Sequence, residues 1–215
     1  MNWQAALEAA LPFVPAFLLS ISVHESAHAL AALWLGDDTA AKRGRISLYP
    51  PRHMELFGTV ILPLISLWGL GIIYGYAKPT PVDPGKLGQP KRDFSLVALA
   101  GPMSNFLLAL LSALAGRALM AVPGMLSQAL MAFCAASLTL NVVLGLVNAL
   151  PLPGFDGIKA LYVFLPDTWC WRLSRAERLA VFYLALLSLV GATGWLWNLA
   201  RTMLGLVSAL TGFPA

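Results

Sequence analysis

Between Val23 and Ala29 the chain reads V-H-E-S-A-H-A, which sets His24, Glu25 and His28 inside a run of apolar residues. Residues four apart share a helix face, so His24 and His28 aim two imidazoles at one point, with Glu25 one step round beside them. Two neutral imidazoles and one carboxylate from elsewhere make a three-ligand set for a divalent ion such as zinc, with the fourth place open to a reactant. Glu25 is then placed to take a proton. The same spacing arises by chance in soluble helices, but from Leu11 to Leu35 no other side chain is ionisable. A charged group at bilayer depth costs roughly 2.5–3.5 kcal/mol even on mild insertion scales, and a metal compensates such a cluster.

The elements that must position these residues are membrane helices. Of the 215 residues 59% are hydrophobic and 11% charged, with mean hydropathy +0.75, against about 45–50% apolar and 25% charged in soluble domains. The fold class expected is an all-α polytopic membrane protein. Fourteen Lys and Arg against ten Asp and Glu bear on topology and anionic lipid, and no basic stretch with interleaved aromatics suggests a nucleic-acid surface. Cys134 and Cys170 imply no disulfide framework. The first basic residue is Lys42, so the start lacks the positive region of a signal peptide and reads as a retained span entering from outside.

The first span is expected over residues 8–35, with Pro12 and Pro15 near its start and Gly36-Asp37-Asp38 as its stop. Residues 39–56 set Ile46, Leu48 and Tyr49 among polar residues, with Pro50-Pro51 following, which predicts a short strand or hairpin at the interface. Within it, His53 is either a neighbour of the metal site or a locally bonded loop histidine. Residues 57–76 are apolar enough to span but broken by Pro63 and several glycines, and a proline-rich basic loop follows over 77–93. A second clear span is expected over 94–121 and a third over 125–150. The third ends in N-A-L-P-L-P-G-F-D-G, Asn148 to Gly157, where Pro151 and Pro153 unwind the backbone. Unwound backbone at membrane depth is tolerated where it lines a cavity or is buried in protein. Beyond it come a short helix over 157–165, a Trp-rich interfacial stretch, a span over 179–199 and an apolar tail over 200–211 that spans or lies on the surface.

Asp156, at that break, is the candidate third ligand. It can meet His24 and His28 only if 57–76 enters and leaves on one side as a re-entrant segment. Loops 36–56, 77–93 and 157–178 then face one way with four basic residues each, twelve in all, leaving Arg117 and Arg201 opposite. A full crossing by 57–76 gives six against eight. Twelve to two is what the positive-inside rule expects, with those loops cytoplasmic.

H-E-S-A-H in the first span, A-G-P-M-S-N-F in the second and N-A-L-P-L-P-G-F-D-G at the end of the third resemble the site-2 protease family of intramembrane zinc metalloproteases, whose patterns are HExxH, GPxxN and NxxPxPxxDG. The resemblance covers roughly residues 20–160 and looks most like the small prokaryotic members made of the membrane core alone. It implies one zinc ion per chain held by His24, His28 and Asp156, with Glu25 as catalytic base. Gly101, Pro102 and Asn105 match the second motif; Asn148, Pro151, Pro153 and Gly157 match the third. Asn148 is a candidate for a substrate or oxyanion hydrogen bond, or for a polar contact inside the bundle. Asn105 reads as a helix-to-helix amide bond. His53 matches a histidine of the subgroup with no derivable role.

The expected domain is a single membrane-embedded protease over 1–215, with a core over 8–160 and C-terminal helices over 175–213, and no soluble PDZ or nucleotide-sensing (CBS) domain. Its partners would be the lipid bilayer and a membrane protein substrate with a transmembrane helix, in a prokaryotic plasma membrane, with the N-terminus outside; no signal sets an oligomeric state. A substrate helix hides its carbonyls in its own hydrogen bonds, so residues 45–49 and 72–82 are candidate edge strands to hold it unwound. A metal carrier would need ligands at several depths, and a dead scaffold would be expected to lack Glu25.

Overall fold

A computed structural model describes residues 3–70, 75–177, 191 and 193–214. Among the described residues, three helices are long and apolar enough to cross a membrane: α1 (Trp3–Trp34) over its Leu11–Trp34 part, together with Pro90–Leu119 and Met125–Asn148. In chain order the others are α2 (Thr39–Lys42), α3 (Leu62–Leu70), α6 (Asp156–Ala160), α7 (Asp167–Ala176) and α8 (Gly194–Thr211), so the two long ones are α4 and α5. Helix α1 starts earlier than expected, which puts Pro12 and Pro15 inside it and not in its first turn. Helices in a bilayer tolerate this because neighbours and local adjustments satisfy the freed carbonyls.

Helix α4 packs against both α1 and α5, and α1 against α5, which makes a three-helix core. Lipid supplies no hydrophobic drive between helices, so close packing of small residues carries the association. Ala109 and Ala113 of α4 are buried against Leu138 and Val142 of α5, with Leu196 and Ala200 of α8 closing the cluster. Gly116 admits the Phe213 ring, which a Cβ there would meet at 2.5 Å. The C-terminal stretch 194–211 is thus a helix docked on the bundle. The expected span over 179–199 falls mostly outside the described residues.

No strand occurs among the described residues, which corrects both strand expectations. The backbone of 45–49 is occupied by side chains: the Ser26 hydroxyl donates to the Ser47 carbonyl at 2.7 Å, the Ser47 N–H returns to Ser26 Oγ at 3.1 Å, and His53 Nε2 donates to the Ser47 carbonyl at 2.6 Å. Of the 72–82 stretch, residues 72–74 lie outside the described residues. The remainder, 75–82, forms no regular secondary structure and carries Pro79 and Pro81, which have no N–H to offer a ladder.

Residues 56–61 form a π-helix that leads into α3. The chain then returns to where it left, because the Tyr76 N–H donates to the Gly58 carbonyl at 3.0 Å and Thr59 Oγ1 donates to the Tyr76 carbonyl at 3.0 Å. The three basic loops also meet. Buried Asp37 accepts N–H groups from Thr39 at 2.9 Å and Asp83 at 2.7 Å; Lys86 pairs with Asp38 at 2.9 Å; Lys91 reaches the Leu165 carbonyl at 2.7 Å and Asp167 at 2.6 Å. The Lys42 and Lys86 ammoniums hold the Asp38 carboxyl down to about 2. Arg117 stands elsewhere, its Nε 3.2 Å from a Cβ built on Gly212 at the end of α8.

This arrangement predicts a labelling pattern. With Cys170 removed, Lys42→Cys and Lys86→Cys should react with an impermeant maleimide from one face of oriented vesicles and Arg117→Cys from the other. Labelling of Lys42→Cys and Lys86→Cys from opposite faces would show that 57–76 crosses.

Candidate metal centre

Helix α1 brings His24 and His28 to one point as their spacing requires, and the turn after α5 delivers a carboxylate to it. Asp156 Oδ2 lies 3.0 Å from His24 Nε2 and 3.2 Å from His28 Nε2, and the two Nε2 atoms are 3.1 Å apart. In a tetrahedral zinc shell with bonds of about 2.0–2.2 Å, donor atoms stand roughly 3.3–3.6 Å apart. These three need open by only a few tenths of an ångström to receive an ion.

The outer hydrogen bonds prepare both rings for that role. His28 Nδ1 faces the Val97 carbonyl at 2.7 Å; a carbonyl only accepts, so Nδ1 carries the proton and the Nε2 lone pair is free for a metal. For His24 the same conclusion follows through a chain of amides. Asn141 Nδ2 donates to the Ser137 carbonyl at 2.8 Å and to Ser20 Oγ at 2.8 Å, which fixes which end of that amide is nitrogen. Its Oδ1 then accepts from Asn105 Nδ2 at 2.7 Å, leaving Asn105 Oδ1 to accept from His24 Nδ1 at 2.6 Å. Ser20 closes the chain on the Ala16 carbonyl at 2.7 Å. Ser20, Asn105, Ser137 and Asn141 are wholly buried, so α1, α4 and α5 are joined by one satisfied polar network ending at a candidate ligand.

Two glycines allow the approach. A Cβ on Gly101 would lie 2.4 Å from His28 Nε2 and 2.6 Å from His24 Cε1, so the bare backbone of α4 is the floor under the two rings. A Cβ on Gly157 would lie 2.2 Å from the Ala149 carbonyl oxygen, so the turn carrying Asp156 folds back flush on the end of α5. Pro151 and Pro153 with Gly154 (φ +94°) make that turn. Pro102 is buried inside α4 beside Gly101.

Glu25, His24, His28, Asp156 and Asn148 all line one cavity of about 740 Å³, whose other walls include Phe17, Ile21 and Leu144 and the 75–82 segment. Thr80 Oγ1 donates to Glu25 Oε2 at 2.7 Å, and Arg45 Nη2 stands 3.6 Å from the same oxygen. Asn148 donates to the Leu144 carbonyl at 3.0 Å within its own helix. His53 is fully buried and pins the 45–53 loop, away from the metal donors. Asn141, Ser20, Thr80 and Arg45 were not singled out by their types; only the polar interruptions at Ser20 and Asn141 within apolar helices were available as a signal. Among the described residues, His24, His28 and Asp156 are the one group of His, Cys, Asp and Glu with donor atoms close enough to share an ion.

The chain is similar to known proteins over most of its length. It is 35% identical over 168 residues to "Putative zinc metalloprotease YwhC" of Bacillus subtilis (strain 168), which covers 74% of this chain and 72% of that one. It is 31% identical over 197 residues to "Putative zinc metalloprotease Rip2" of Mycobacterium tuberculosis (strain ATCC 25618 / H37Rv), covering 87% and 73%. To Rip2 of Mycolicibacterium smegmatis (strain ATCC 700084 / mc(2)155) it is 32% identical over 158 residues, covering 72% and 58%. No family model and no solved structure matches the chain.

The outer network and the glycine floor give two expected outcomes. Asn105→Leu, which strips the acceptor from His24 Nδ1 and orphans Asn141, should weaken zinc binding about 10–100-fold by chelator competition. Gly101→Ala should yield a folded protein with little bound zinc, since its methyl occupies the space of the rings. Unchanged affinity in both variants would show that these contacts do not support the site.

Proposed function

The chain belongs to the zinc metalloprotease family of YwhC and Rip2, and from that membership we propose that it is an intramembrane protease of the site-2 type, hydrolysing peptide bonds within transmembrane segments of membrane proteins. The observation that carries the reading is the meeting, inside a helix bundle, of two imidazoles with pinned Nδ1 protons and one carboxylate, in a cavity that also holds Glu25. His24, His28 and Asp156 are the proposed zinc ligands. A zinc ion there would polarise the scissile carbonyl and lower the pKa of water toward about 7.

The chain's own residues do the rest. Glu25 takes the proton of the attacking water on a carboxylate oxygen and passes it to the leaving amine. Thr80 and Arg45 hold that carboxylate from the side of the 36–83 loops. Asn148 spends one N–H on its own helix and keeps the second for the substrate backbone or the oxyanion that develops on it. Phe17, Ile21 and Leu144 offer apolar wall to a substrate segment, which must unwind before its carbonyls can be attacked. The basic loops at the Asp156 end argue for a cytoplasmic active site and an N-terminus outside.

A metal carrier is the rival reading. It needs a succession of ligand sets along a path, and a single cluster among the described residues favours hydrolysis.

Glu25→Gln should keep one zinc per chain and lower cleavage of a reporter transmembrane segment by at least about 100-fold. Cleavage at the original rate, with zinc retained, would remove Glu25 as the base.

A further inference from the structure

A second pocket, of about 410 Å³, lies in the basic loops and is lined by Arg43, Arg45, Arg52 and Lys78 with three prolines and Gly44. Among the described residues, four cations line it and no carboxylate does. Lys42 and Lys86 nearby share Asp38, whereas Arg43, Arg52 and Lys78 form no ion pair among the described residues and remain exposed. Arg45 is the buried wall of this pocket, at 4% exposure. It reaches the Lys78 carbonyl through Nη2 and faces Glu25 at 3.6 Å, but its Nε is buried without a partner among the described residues. Behind the exposed cations of the pocket, Arg45 thus keeps a guanidinium N–H unsatisfied by the described residues.

Two further features define the acceptor. Arg52 is held in place by donating to the Gly44 carbonyl at 2.9 Å, across a glycine at φ +67° where a Cβ would meet Nη1 at 2.9 Å. Fixed guanidinium forks match the oxygens of a phosphate. The same loop exposes Ile46, Leu48 and Tyr49, the last two by 62% and 63%, so apolar side chains flank the cations on a loop that leaves a membrane-capable helix. We propose that this pocket binds the phosphate group of an anionic phospholipid, with the acyl chains against Ile46, Leu48 and Tyr49. Because Arg45 lines the pocket and faces Glu25 of the cavity, the headgroup sits one side chain from Glu25.

The test uses the full chain in zwitterionic detergent with phosphatidylcholine, to which phosphatidic acid is added while native mass spectrometry counts the retained lipid. The expected result is one phosphatidic acid held per chain, bound at least about tenfold less tightly after Arg43→Gln/Arg52→Gln/Lys78→Gln. The charge-matched variant Arg92→Gln/Arg172→Gln/Arg175→Gln should bind as the unaltered protein does. Equal losses in both triple variants would reduce the effect to general surface charge and overturn the pocket. Inorganic phosphate displacing the lipid at equal concentration would overturn the lipid source in favour of a soluble anion, and undiminished binding by the first variant would overturn the site. Thermal unfolding checks each fold, and exposed Arg52→Gln alone replaces the first triple variant if that one does not fold. None of these measurements depends on proteolytic activity.

Discussion

Three ionisable donor atoms, His24 Nε2, His28 Nε2 and Asp156 Oδ2, lie within 3.2 Å of one another on residues less than a tenth exposed, and the rest of the fold answers to that constraint. Desolvated polar groups in a helix bundle cost several kcal/mol each unless they are bonded or ligate a metal. The protein meets the cost twice over. Both Nδ1–H groups are given to acceptors, and the acceptor of His24 is itself held by Asn141 and Ser20. What is left unspent, two lone pairs and a carboxylate oxygen, could hold a divalent metal such as zinc.

Packing follows from the same demand. Rings that converge on one point need a flat neighbour, and Gly101 supplies it, leaving out a Cβ that would lie 2.4 Å from His28 Nε2. A carboxylate that must arrive from another helix needs a sharp fold at that helix's end, and the Pro151, Pro153, Gly154 and Gly157 sequence makes one by removing donors and side-chain bulk where the backbone doubles back. The buried Asp37 and the lysines on Asp38, Leu165 and Asp167 then lash the connecting loops to one end of the bundle.

Much of this was legible in the residues. Spacing put His24, Glu25 and His28 on one helix, and the break at Pro151 and Pro153 marked Asp156, because ionisable groups and prolines stand out against apolar helices. Asn141 was less visible, since a lone amide in a span has many readings until its partner on another helix is known. The strand expected at 45–49 failed for a definite reason. Ile46, Leu48 and Tyr49 among polar residues suggested an extended backbone, but its hydrogen bonds go to Ser26 and His53, side chains distant in sequence that no local pattern reveals. Arg45 likewise looked like one more basic loop residue and is instead buried against Glu25.

X-ray absorption at the zinc edge of the purified, zinc-loaded protein tests the central claim most directly. A site built from His24, His28 and Asp156 would show a shell of nitrogen and oxygen at about 2.0–2.2 Å with two imidazoles, and would lose one light scatterer and most of its affinity in Asp156→Ala. A sulfur scatterer at about 2.3 Å, or an unaltered shell in that variant, would contradict it.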